Sequence, residues 1–220
     1  MLGSLTPAVE KAITALLPKV SASTRLKLIK FATAWKVTGL EGQLAELTKS
    51  LYATVANATA ADAARLEAAR QILDLSQDEA AAPTKLLGAV TAQVSPAFAT
   101  GLFDALANSN AKNLGPVVLA KLKDVPPAAR PAALKLVLAR PESTKAFLDA
   151  VEAGTVRFDV LSLEQKNALA GHPDKQLAER ARKLLALGGG LPDPNRQKVI
   201  DELAFVAKKI GNIEAGKKVF

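Results

Sequence analysis

Apolar residues in this chain recur three and four positions apart, and that spacing predicts helices almost throughout. Leu28, Phe31, Ala32 and Trp35 share one face of a helix opened by Ser21 or Ser23 and running to about Lys36. Leu66, Ala69 and Leu73 align in "DAARLEAARQILDL", which Asp62 is placed to cap. Leu177, Ala181, Leu184 and Leu185 make a third stripe, and Val199, Leu203, Val206 and Ile210 a fourth. The breaks between stripes carry helix punctuation. Thr6 and Pro7 open the first helix, which runs to about Leu17, with proline at the first position, where its missing N–H costs nothing. Gly39 precedes a helix ending near Asn57, and Pro83, Ser95 with Pro96, Gly115 with Pro116, Pro126 with Pro127, Pro141, Pro173 and Asp193 with Pro194 mark further starts. Ser162 and Gln165 have the spacing of a capping box. Pro131, about four residues into its helix, predicts a late start or a kink. Only Val156, Phe158 and Val160 alternate; a single run has no strand to pair with and reads as an extended connector. The expectation is an all-α chain of about twelve helices.

Starts that superpose by apolar pattern fall at Ser21, Asp62, Ser95, Pro127, Ser162 and Asp193, with two helices in each step. The clearest internal echo sets "ADAARLEAARQIL" beside "PPAARPAALKLVL", each with two small residues, an arginine, and apolar residues three and four apart. A period of roughly 30 to 45 residues built from helix pairs predicts an α-solenoid of antiparallel pairs, of HEAT or armadillo type. The tetratricopeptide alternative is rejected, because its steadier period and its Trp, Gly and Tyr pattern are missing.

Composition agrees: 49% of the 220 residues are apolar but only 4% aromatic, so the core is aliphatic and helix formers outnumber strand formers. The formal net charge is +8, and much of it sits in the first forty residues, where six basic side chains face Glu10 alone. Arg25, Lys27 and Lys30 are the candidate contact face there; a solvated surface is the plainer reading. No run of eighteen apolar residues predicts a membrane span, and "MLGSLTPAVEK" lacks the features of a signal peptide. With no cysteine, the chain has neither disulfides nor thiolate chemistry.

Catalytic candidates are few. His172, the single histidine, could be a general base oriented by Asp174, but His-Pro-Asp also reads as a turn into a helix, with Pro173 first and Asp174 in the first turn. The stretch from Asp193 resembles a calcium loop until its sixth position, Lys198, and its twelfth, Ala204, where glycine and a bidentate carboxylate are needed. Gly188 to Gly190 lack the Lys-Ser or Lys-Thr of a phosphate loop and read as a helix terminator and hinge. Asp201 with Glu202, and Asp78 with Glu79, are adjacent pairs that diverge on a helix. Trp35 and Tyr52 sit in core patterns. No catalytic residue, cofactor ligand or metal ligand is expected in this chain, which reads as a non-enzyme.

The last ten residues, "GNIEAGKKVF", resemble the first helix of class I cytochromes c, where the Gly and the aromatic, here Gly216 and Phe220, pack on that domain's last helix. The preceding "LSLEQKNALAGHPD" and "GGGLPDPNRQKVIDEL" resemble the helical-repeat region before the c-type haem domain in large membrane-bound-dehydrogenase-like proteins of the PVC group of bacteria. The likeness is good from Pro126 to Phe220 and looser from Ser21 to Ser109. It implies a HEAT-like repeat domain over residues 1–210, and over residues 211–220 the truncated first helix of a following cytochrome c-like domain. The implied role is a non-catalytic scaffold joining an upstream propeller-type dehydrogenase-like domain to a c-type haem domain, outside the cytoplasm. Haem itself would belong only to the domain beyond Phe220, because Cys-x-x-Cys-His is not in this chain. Expected partners are neighbouring domains of the same polypeptide or another protein, with no small-molecule substrate. The alternative is a nucleic-acid-binding HEAT-like repeat protein using the basic N-terminal face.

Overall fold

The computed structural model describes residues 6–35, 37, 40–75, 80–189, 201–205 and 217. They form an all-α protein, with eleven α-helices and no strand among the described residues. The helices are α1 (Pro7–Leu16), α2 (Ala22–Ala34), α3 (Glu41–Ala56), α4 (Asp62–Leu75), α5 (Ala81–Leu87) and α6 (Pro96–Leu106). They continue as α7 (Leu114–Lys121), α8 (Arg130–Leu138), α9 (Pro141–Glu152), α10 (Leu163–Ala170) and α11 (Lys175–Leu184).

Several helix starts are set by side chains. The Ser21 hydroxyl accepts from the Thr24 amide at the head of α2, and the Ser95 hydroxyl from the Phe98 amide at the head of α6. Ser162 and Gln165 form the complete capping box of α10, each side chain taking the other's backbone N–H. Pro131 gives the late start: a short 3₁₀ turn, Pro127–Ala129, precedes α8, and the proline falls at the second position of the α-helix, where its absent N–H is not needed.

Several local expectations are corrected, among them the extended connector after α9 and the start of α7 at Gly115, which falls at Leu114. Phe31 is 47% exposed, because the buried face of α2 is centred on Leu26, Ile29 and Ala32; apolar residues wrap so far round this helix that spacing alone could not choose the face. Asp62 is the first residue of α4 and not its cap: the Arg65 amide donates to the Ala61 carbonyl. Asp174 caps α11, its carboxylate accepting from the Gln176 and Leu177 amides, so Pro173 lies outside the helix. The fifth helix begins at Ala81, two residues before Pro83. The connector after α9 is a turn at Gly154 and a 3₁₀ turn, Phe158–Val160. Gly39, the stripe from Val199 and the segment from Gly211 lie wholly or mainly outside the described residues.

The helices stack in two layers. In one, α2 packs on α4, α4 on α6, and α6 on α8; in the other, α3 packs on α5, α5 on α7, α7 on α9, and α9 on α11. Adjacent helices such as α3 and α4, α8 and α9, and α10 and α11 join the layers. Each helix therefore meets mainly its next and next-but-one neighbours. The core is continuous, with Ile72, Leu86, Phe98, Leu102, Val118 and Phe147 all fully buried. Burying each such side chain stabilises by about 1.5–3 kcal/mol.

Hydrogen bonds repeat with the stack. Ser95 Oγ donates to Asp62 Oδ2, Asn113 Nδ2 to the Ala80 carbonyl, and one Arg140 terminal nitrogen to the Ala107 carbonyl, and each pair is 33 residues apart. An arginine also recurs near the start of three first-layer segments. Arg25, Arg65 and Arg130 donate Nε to the Leu17, Val55 and Val125 carbonyls, at 2.7, 3.0 and 3.2 Å, tying each segment to the end of the one before. Arg65 is only 4% exposed; its guanidinium lies 3.7 Å from the Phe98 ring centroid and 3.7 Å from Asp62 Oδ1.

Candidate interaction surface

A cleft lies on the second layer, where α7 and α9 run beside each other and the chain turns after α9. Gly154, at φ +72°, takes the left-handed conformation that ends this helix, and its amide donates to the Val151 carbonyl. The Thr155 and Val156 amides then donate to the Ala150 carbonyl, and Phe158 plugs the core edge-on to Phe147, ring centroids 5.9 Å apart. The connector is thus pinned at both ends. It forms one wall of a cleft of about 860 Å³ whose other walls are Leu119 and Ala120 of α7, Leu122 just beyond it, and Ala146 and Ala150 of α9.

Two smaller depressions adjoin the connector. One, of about 550 Å³, lies between Val151, Val156, Phe158 and Leu184, and the other, of about 630 Å³, between Pro127, Pro131, Leu134 and Val160. The three share residues of the connector, Asp159 being common to all.

Charges on this surface are unevenly balanced. Asp149 accepts from Lys145 at 2.9 Å and from Arg180 at 2.7 Å, while Glu152 takes Arg180 through both carboxylate oxygens at 2.7 Å. The hydrogen bond from Lys145, then that from Arg180, holds the Asp149 carboxyl below its ordinary range. Arg180 does the same for Glu152, and the two carboxylates raise the guanidinium in return. This bridge clamps α11 onto α9. Asp159 pairs with Arg157 at 3.1 Å. Lys123 and Arg130, which also line the cleft, meet no carboxylate within 4 Å among the described residues.

The other sequence candidates do not converge on this surface. Arg25 is half-buried and engaged with the Leu17 and Val20 carbonyls; Lys30 pairs with Asp74 of α4 at 3.3 Å; Lys27 is exposed on the same helix. His172 accepts the Asp174 amide on Nδ1 at 3.0 Å, while the Asp174 carboxylate is turned to the helix N-terminus, away from the orienting role. Trp35 stacks at a tilt on Phe31, and the Lys85 ammonium sits 5.4 Å from the Tyr52 ring centroid. Asp201 and Glu202 are exposed. Gly188 and Gly189 fall in a π-helical turn, Leu185–Gly189, that continues α11. Asp78, Glu79, Gly190, most of the calcium-like stretch, Gly216 and Phe220 lie outside the described residues.

Among the described residues no group of three or more His, Asp or Glu side chains is placed to hold a metal, and no helix is long and apolar enough to cross a membrane. The cleft is what sequence reasoning missed. Its walls come from α7, α9 and a connector separated along the chain, so no local motif announces it; the alternating Val156, Phe158 and Val160 after α9 marked the connector but not the cleft. No family model, curated protein or solved structure matches this chain.

Proposed function

We propose that this chain is a non-catalytic α-solenoid of HEAT-like helix pairs that acts as an interaction scaffold, with the second layer as its working face. The observation that carries the reading is the next-but-one packing of both layers, repeated with lateral hydrogen bonds 33 residues apart. Such an arrangement offers an extended surface made of equivalent helices, suited to holding other proteins. Arg25 and Lys30 are each engaged within the fold, so no specific observation favours the nucleic-acid alternative.

The resemblance of "GNIEAGKKVF" to a cytochrome c first helix supports a narrower role, spacing a c-type haem domain from an upstream dehydrogenase-like domain outside the cytoplasm. The experiment is to read the parent frame past Phe220 and to titrate this chain with the segment encoded there. A Cys-x-x-Cys-His a few codons on, and measurable association of the two pieces, support the role; a frame without that motif refutes the haem linkage.

A further inference from the structure

We infer that the cleft between α7, α9 and the connector docks a short protein segment carrying large apolar side chains flanked by acidic ones. This rests on the reading of the chain as an interaction scaffold and assigns that scaffold a site and a partner chemistry. The walls of the cleft are aliphatic, from Leu119, Ala120, Leu122, Ala146, Ala150 and Val156. Its volume, about 860 Å³, is enough for several side chains, and it adjoins two further depressions along the same connector. A branching track of this kind fits a length of polypeptide better than one compact molecule.

The charge balance selects the partner. Of the carboxylates lining the cleft, Asp149 is held by Lys145 and Arg180, and Asp159 by Arg157. The cations left without a carboxylate among the described residues are Lys123 and Arg130. Arg130 also lines the depression beside α8, where Lys135 faces the carboxylates of Asp159 and Glu164, so the excess positive charge lies at the cleft itself. An incoming segment thus meets apolar walls with uncompensated positive charge at the rim, which favours Asp and Glu beside its apolar anchors and disfavours a basic segment. Gly154 and Phe158 fix the connector, so the cleft is formed before the partner arrives.

The test is selection of short random peptides displayed on phage against the full chain at low salt, followed by affinity measurements with two variants. Ala120→Trp fills the cleft from an exposed wall position, and Lys123→Glu reverses a rim charge; circular dichroism and the unfolding midpoint check that both fold. The expected result is enrichment of acidic, apolar-anchored peptides that bind more weakly as salt is raised. Ala120→Trp should weaken them about tenfold or more, and Lys123→Glu about fivefold. Enrichment of basic or uncharged peptides, self-association of the chain as the sole binding event, or no enrichment over a scrambled selection overturns the proposal. Peptides held equally well by the native chain and both variants overturn the cleft and leave the scaffold reading standing. The haem linkage fails by a separate route, a missing haem motif in the parent frame.

Discussion

Replacing Gly115 by alanine puts one methyl group into the contact between α7 and α9. A Cβ at Gly115 would lie 2.7 Å from the Ser143 Cα and 2.9 Å from its Cβ. Those atoms belong to the start of α9 and cannot rotate away, so α7 and α9 must separate. Overpacking of this kind costs about 1–3 kcal/mol, while alanine recovers up to about 1 kcal/mol of helix propensity. The expected net loss is up to about 3 kcal/mol. Gly42 is a matched control, because it too is the second residue of its helix and a Cβ there meets nothing within 4 Å. Gly42→Ala should be neutral or stabilising by up to about 1 kcal/mol. The two variants therefore differ only in what the added methyl touches. Urea unfolding followed by circular dichroism reads the difference as a shift in midpoint at constant slope. A Gly115→Ala midpoint equal to or above that of Gly42→Ala would refute the close approach of α7 to α9.

Three further outcomes are expected. Arg65→Leu leaves the Val55 carbonyl without its buried donor and the Asp62 carboxylate without its cation, and should cost about 1–3 kcal/mol in the same assay; no change would remove the anchoring role of the arginine. Asp174→Ala removes the side chain that accepts two amides at the head of α11, and should lower stability by about 0.5–2 kcal/mol, with Asp174→Asn recovering most of it. The Asp149 and Glu152 carboxyls have folded pKa values below their unfolded ones, so the stability they contribute is present above the unfolded value, about 4, and lost as pH falls through the folded values. Arg180→Leu should therefore destabilise α11 at neutral pH, with a deficit against the native chain that shrinks below about pH 4; a deficit independent of pH would contradict the clamp.

Much of the fold was legible because helix ends in this chain are written in side chains with one strong preference each. Ser95, Ser162 and the proline at position 7 mark starts by satisfying, or never needing, the orphan amides of a first turn. The starts also carried the step of the stack, since Asp62 and Ser95 superpose by pattern and hydrogen-bond across it. What could not be read was orientation. In α2, apolar residues cover so much of the circumference that the spacing put Phe31 on the core face and left out Ile29, which is the residue buried. Nothing in the local pattern marks Arg65 as buried; its burial depends on a carbonyl ten residues back and a ring 33 residues on. The twin arginine in the echo at Arg130 was the available sign, and it signalled an anchor repeated with the fold. The cleft, and the cations in it that meet no carboxylate among the described residues, needed three elements in place at once.

The regular step of the stack is the central claim, and the absence of native cysteine allows a direct check. Cysteines would be introduced at Ala80 with Asn113 and, in a second variant, at Ala107 with Arg140, each pair joined across the stack by a hydrogen bond in the native chain. A third variant mismatches them, Ala80 with Arg140. A short bifunctional thiol reagent should link both matched pairs within one chain and leave the mismatched pair open. Linking of the mismatched pair at a comparable rate, or failure of both matched pairs in folded protein, would contradict the account.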